Sequence, residues 1–220
     1  MGQPVSWNQL FRQPVSGLTH LAGAFGGAVG LGYLGHAAAM AFGWVGAIPF
    51  MVFCVSVMLL YGSSATYHLL FTPESFRVKL RRVDHTMIFV LIAGSYTPFC
   101  VHAMRDYYGM ELLALIWVIA LAGTIMKLFW LHAPRWLSTV IYIAMGWLSV
   151  GAIYPLTKVL STSGLMWLVA GGLSYTFGAV IYAIKRPDPF PDIFGFHEVW
   201  HMFVLAGTVC HFVSIATLIP

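Results

Sequence analysis

Three short stretches carry the side chains able to do chemistry. His197 and His201 stand four apart in Phe196-His-Glu-Val-Trp-His201, and Ser64 and His68 stand four apart in Ser64-Ala-Thr-Tyr-His68. Residues at that spacing share one face of a helix, about one turn from each other, so two such imidazoles can close on one metal ion. A third imidazole from His68 makes three nitrogens, and a water takes the fourth position of a tetrahedral zinc. Zinc lowers the pKa of such a water towards ~7. Asp84 is then a neighbouring acceptor for that water, or its general base. His197-Glu198-Val-Trp-His201 also fits the HExxH pattern, in which the glutamate is the base of soluble zinc proteases. Glu198 is therefore a rival to Asp84. Its plainer reading is an acidic group favoured near a helix N-terminus. His20 is either a supporting neighbour of the ligands or an interfacial polar residue.

The elements that must position these groups follow from composition. The chain has 220 residues, of which 60% are hydrophobic and 8% charged, with a mean hydropathy of +0.83. Soluble domains carry roughly 25% charged residues. A soluble enzyme, a disordered chain and a disulfide-stapled secreted scaffold are excluded. No Asp, Glu, Lys or Arg occurs from Gln13 to Pro73. As one helix that stretch would run ~90 Å, against a hydrocarbon core ~30 Å thick, so it is two spans joined by a turn at Phe42-Gly43-Trp44 through Pro49. Further charge-free runs are His85–Met104, Leu112–Met126, Trp136–Thr157, Val159–Ile184 and Val199–Pro220. The shortest of them requires Lys127 to snorkel. The expectation is an all-α, seven-transmembrane-helix bundle forming one domain over 1–220. Its helices lie at about 18–41, 47–71, 84–104, 110–131, 136–157, 163–184 and 197–219.

Loop charge orients this bundle. Arg12, Arg77, Lys79, Arg81, Arg82, Lys127, Arg135, Lys185 and Arg186 fall on the N-terminal side, and only Arg105 and Lys158 on the other. An excess of Lys and Arg marks the cytoplasmic face, which puts the N-terminus inside and the C-terminus outside. Ser64 and His68 then end the second helix, Asp84 and His85 lie on the first turn of the third, and His197, Glu198 and His201 open the last. All share one depth near the cytoplasmic face, although the charge rule made no use of them. Ionisable groups inside a span are costly and point to function by default.

Other residues read more plainly. Cys54, Cys100 and Cys210 are small buried hydrophobes. The glycines of the first helix, Gly23, Gly26, Gly27, Gly30, Gly32 and Gly35, read as close helix packing, with a homodimer face as the sharper alternative. His85 is a packing or hydrogen-bonding group, His36 and His211 sit towards the outer leaflet, and His102 and His132 read as solvated loop residues. Pro98, in Ala93-Gly-Ser-Tyr-Thr-Pro98, interrupts the third helix, where Ser95 or Thr97 can satisfy the freed carbonyl. Trp44, Trp130 and Trp136 read as an interface belt. The start of the chain lacks the basic-then-apolar pattern of a cleaved signal peptide. The basic residues form no stripe, so nucleic acid is not an expected partner.

Ser64-Ala-Thr-Tyr-His68, Arg82-Val-Asp-His-Thr-Met-Ile-Phe89 running into Pro98, and Phe196-His-Glu-Val-Trp-His201 together resemble the hemolysin III family, within the progestin and adipoQ receptor group. More distantly they are similar to the alkaline ceramidases. The resemblance covers nearly the whole chain, and Thr19-His20 fits its bacterial branch. It implies seven helices and a zinc held by His68, His197 and His201, with Asp84 holding the zinc-bound water and Ser64 beside the site. It also implies links to lipid-amide hydrolysis and to membrane lysis. In the receptor branch the position of Glu198 need not be acidic.

Two functions follow as expectations. One is a zinc-dependent membrane hydrolase of a lipid amide or related bond, its substrate entering from the inner leaflet of the cell membrane, suspected to be a bacterial inner membrane. The other is a non-enzymatic lytic or membrane-state protein in which zinc is structural. Other seven-helix classes fail. No lysine lies in the last helix for a retinal Schiff base. The orientation is opposite to that of a G-protein-coupled receptor, and no acidic group sits at mid-membrane as in a proton-coupled transporter.

Overall fold

The computed structural model describes residues 10–130, 134–191 and 193–220. His132, read above as solvated, lies outside them. The described chain is helical throughout. Apart from an isolated bridge between Phe190 and Phe194, no β structure occurs among the described residues. In chain order the elements are α1 (Pro14–Leu69), α2 (Glu74–Pro98) with a π-helical turn at Phe99–Ala103, α3 (Gly109–Phe129), α4 (Arg135–Trp147), a 3-10 turn at Leu148–Ala152, α5 (Ile153–Val159), α6 (Thr162–Ile184) and α7 (Phe196–Ala216). Six stretches are long and apolar enough to cross a membrane, with α4 and α5 sharing the span Trp136–Val159. Large apolar side chains point away from the protein, Val118 being 64% and Phe129 86% exposed. Lipid, not water, is the solvent in which such faces are stable. Trp44, Trp130 and Trp136 are exposed too. This is a multi-pass membrane protein.

The 56 residues of α1 are not one straight rod. Gly43 breaks the helix at φ 73° and ψ 168°, a conformation glycine adopts without the Cβ penalty other residues carry. The arms 14–42 and 44–69 fold back on each other. Arg12 N donates to Leu69 O at 3.3 Å and Gln13 N to His68 O at 3.0 Å, which ties the beginning of the first arm to the end of the second. The turn expected over Phe42 to Pro49 is thus confined to Gly43. Pro49 sits within the second arm, past its first turn, where its missing N–H leaves the Val45 carbonyl without the usual helical donor.

Glycine lets the arms approach. A Cβ on Gly27 would meet Val57 at 2.9 Å, one on Gly23 would meet Leu205 at 2.7 Å, and one on Gly30 would meet Phe212 at 2.7 Å. These glycines therefore serve packing inside the bundle, against the second arm and α7. Gly26 and Gly32 face open space. Hydroxyls bind the same helices together: Thr208 Oγ1 lies 2.6 Å from Tyr61 Oη and 2.8 Å from Tyr175 Oη, linking α1, α6 and α7. Such interhelical bonds contribute about 0.6 kcal/mol each in a bilayer.

Several expectations change. α2 starts at Glu74, not near residue 84, so Asp84 and His85 lie about three turns inside it rather than on its first turn. Its opening turns carry Arg77, Lys79, Arg81 and Arg82, and a charged amphipathic start is no obstacle to helix while it lies in the interface. Lys127 is 3% exposed. It packs against the bundle instead of snorkelling, because α3 runs on to Phe129 and turns this side chain inward. Pro98 does not interrupt α2 midway but ends it, and the π turn follows. Thr97 Oγ1 bonds Ala93 O at 2.9 Å and Ser95 Oγ bonds Ile92 O at 2.8 Å, so neither hydroxyl goes to Gly94, whose carbonyl the proline frees. His102 is not solvated. The π turn aims it at the α1 break, where its Nε2–H donates to Gly46 O at 2.9 Å and its ring packs on Phe42 and Phe50 at centroid distances of 4.7 and 4.9 Å. Cys54 and Cys100 are buried free thiols, and Cys210 is a half-buried one.

Candidate metal centre

The histidines reach one another because their helices end or begin at the same level. His68 is in the last turn of α1, while His197 and His201 occupy the first two turns of α7. α7 starts where it does because its first amides are capped. Glu198 Oε2 accepts from Gly195 N and Asp188 Oδ1 accepts from Phe196 N, both at 2.9 Å. These bonds satisfy donors that a helix start leaves free. Four residues later along the helix, His201 faces the same way as His197.

The ligand atoms of His68, His197 and His201 all lie within 4.8 Å of one another, and these three residues form a group able to hold a metal ion. His68 Nε2 is 3.4 Å from His197 Nε2. The His68 ring is oriented from behind, its Nδ1–H donating to Gln13 Oε1 at 2.6 Å, which leaves Nε2 as the free donor. His201 is 1% exposed, and both ring nitrogens of His20, stacked on it, are buried with no hydrogen-bond partner. Buried polar atoms are rarely left unpaired, and such a cluster of imidazoles suits a cation. The residues present therefore fit a metal. Three imidazoles with no carboxylate among them suit zinc, copper, iron or nickel better than calcium or magnesium.

The remaining candidates divide. His20 is buried and stacks on His201, with ring centroids 3.7 Å apart and planes at 10°. It is a wall of the site. Asp84 is buried, lies 3.4 Å from His85 Nδ1 and is within electrostatic reach of His68 and His20. Ser64 is buried one turn before His68. His20, Ser64 and Asp84 all line an apolar cavity of about 280 Å³ that extends across the bundle to Met104 and Leu112. The ligand rings themselves are not in its wall, so the cavity meets the centre through these three residues.

Glu198 is engaged elsewhere. One carboxylate oxygen caps α7 and the other accepts from Ser16 Oγ at 2.5 Å. Its plainer reading, an acid at a helix N-terminus, is the one the hydrogen bonds describe. Gln13 and Ser16 were not legible as site residues, since neither stands at helical spacing from a histidine of the centre. The signal was their place within three residues of each other, one to two turns before His20 at the same boundary.

A family model described as "Haemolysin-III related" matches residues 8–212, a stretch that contains all three histidines of the centre. The chain belongs to the haemolysin-III-related family. Among its relatives, the hemolysin-3 homolog of Bacillus subtilis (strain 168) is 39% identical over 165 residues, 75% of this chain and 74% of the relative. Hemolysin-3 of Bacillus cereus is 39% identical over 165 residues, 75% of this chain and 72% of the relative. At greater distance stands the adiponectin receptor protein of Drosophila melanogaster, 24% identical over 191 residues that are 78% of this chain but 42% of the relative.

Proposed function

We propose that this haemolysin-III-family protein is a zinc-dependent intramembrane hydrolase that cleaves a lipid amide or a related bond near the cytoplasmic face of the cell membrane. The observation that carries the reading is the juncture of three imidazoles with an apolar cavity walled by Asp84 and Ser64. A pocket for an acyl chain thus ends beside a metal centre and a carboxylate. The two arms of α1 count as separate crossings, which makes seven. The distribution of Lys and Arg supports a cytoplasmic N-terminus and a centre on that side.

His68, His197 and His201 hold the ion in this reading. Zinc bound there supplies Lewis-acid polarisation of a carbonyl and makes water a stronger acid at neutral pH. The chain does the rest. The cavity takes the lipid tail and keeps water from it, which fixes the polar bond at the level of Asp84. The Asp84 carboxylate accepts a proton from the attacking water and returns it to the leaving nitrogen. The carbon–nitrogen bond breaks, the water oxygen stays on the acyl carbon, and a fatty acid and an amine result. Ser64, one turn from His68, is placed to orient the carbonyl through its hydroxyl. His85 beside Asp84 keeps the carboxylate in place. In this reading the substrate enters sideways from the inner leaflet.

One observation favours a second reading. The Bacillus cereus relative is called a hemolysin, and the candidate ligands come from helices 129 positions apart, so an ion there also ties the two ends of the bundle. In that case zinc is structural and the protein acts on membrane integrity without hydrolysis. Purified protein separates the two. The hydrolase reading expects about one zinc per chain, set by the three-imidazole site. It expects release of fatty acid from membrane lipid extracts, measured by mass spectrometry. Asp84→Asn is expected to keep the zinc and lower the release by roughly 10² or more. No release by zinc-loaded wild type, or full zinc in His197→Ala/His201→Ala, would overturn it.

A further inference from the structure

A second cavity, of about 240 Å³, lies at the boundary where α1 begins and ends and α2 starts, lined by Arg12, Tyr67, Glu74, Arg77, Val78 and Arg81. Three of its six walls are guanidinium groups and one is a carboxylate. Arg77 and Arg81 stand four apart on one face of α2. Glu74 pairs with Arg77, which leaves the cavity with a net charge of about +2 from fully ionised side chains. Like charges in one cavity repel unless an anion joins them.

Arg12 is fixed in this position. Its Nη2–H donates to Tyr67 O at 2.7 Å, its guanidinium lies 4.8 Å over the Tyr67 ring, and its backbone N–H is bonded to Leu69 O. These contacts leave the Nε–H buried with no partner. A pre-oriented arginine that shares one cavity with two more arginines is an arrangement that recognises phosphate through paired N–H···O bonds. The cavity sits at the interfacial level, beside the ends of the spanning helices, where basic pockets meet lipid headgroups.

We infer that the Arg12–Arg77–Arg81 cavity is a phosphate-binding site, occupied by the headgroup phosphodiester of an anionic membrane lipid. None of the three candidate metal ligands lines it, and the inference does not rest on the proposed hydrolysis. Only its assignment to the inner leaflet rests on the charge-derived orientation.

The full-length protein in detergent micelles is titrated with dioctanoyl phosphatidylglycerol, dioctanoyl phosphatidylcholine and inorganic phosphate, and bound species are counted by native mass spectrometry. Phosphatidylglycerol is expected to bind saturably and more tightly than zwitterionic phosphatidylcholine. Arg77→Gln/Arg81→Gln is expected to weaken it roughly 30-fold, about fivefold per guanidinium. Glu74→Gln removes the competing carboxylate and is expected to tighten it several-fold. This variant decides the matter if the double variant fails to fold. Displacement of the lipid by inorganic phosphate at equal concentration would keep the site and make a soluble phosphate its occupant. Equal binding of phosphatidylglycerol and phosphatidylcholine, wild-type affinity in the double variant, or no tightening in Glu74→Gln would each overturn the inference.

Discussion

Removing the Gln13 side chain tests how the centre is oriented. Gln13 Oε1 accepts the Nδ1 proton of His68 at 2.6 Å, which selects the tautomer whose Nε2 lone pair faces His197. Without that acceptor His68 samples both tautomers and turns about its side-chain bonds. Partners of this kind typically contribute 10–100-fold in metal affinity. Gln13 is exposed, so water replaces part of what the amide provided, and the low end applies. Gln13→Ala is expected to weaken zinc about tenfold, which is about 1.4 kcal/mol. Competition with a chromogenic chelator on the detergent-purified protein reads this directly. Gln13→Glu supplies a stronger acceptor at the same place and should restore or exceed wild-type affinity. Were Gln13→Ala, correctly folded, to bind zinc within a factor of two of wild type, the bond would be incidental to metal binding.

Other consequences can be checked alongside. Glu198→Ala removes the α7 cap and the Ser16 bond and is expected to cost about 1 kcal/mol of stability, seen as a lower melting temperature. Zinc content should stay unchanged, and loss of lipid hydrolysis in a folded Glu198→Gln protein would return the role of base to this residue. A Cβ at Gly123 would run into the Phe89 ring, so Gly123→Ala is expected to destabilise the α2–α3 contact by about 1–3 kcal/mol. A thermal stability assay in detergent reads that change, and a wild-type value would mean that Phe89 moves aside freely. A phosphatase fused after Pro220 should be active and a fluorescent protein fused there dark, and the reverse pattern would invert the orientation.

Much of this architecture was legible because lipid is an exacting solvent. Charge-free runs marked the spans. The i, i+4 histidines marked the centre because helix geometry converts spacing directly into facing. What escaped detection depended on atoms that hydropathy does not weigh. The start of α2 at Glu74 was hidden by Arg77 to Arg82, which read as loop although an interfacial helix tolerates them. Lys127 was assigned outward by charge alone, whereas the register of α3 turns it inward. Gln13 is uncharged and lies next to a proline. Its role depends on the hairpin at Gly43 returning residue 68 to the level of residue 13, a tertiary event that no local pattern encodes.

The order of the candidate ligands along the chain has a consequence for biogenesis. His68 is made early, whereas His197 and His201 lie in the final crossing, 129 positions later in the case of His197. A nascent chain halted before that crossing carries a single imidazole of the three and cannot complete the cluster. If the cluster holds the proposed ion, its capture is a late event in synthesis, and a truncated product would be born without it.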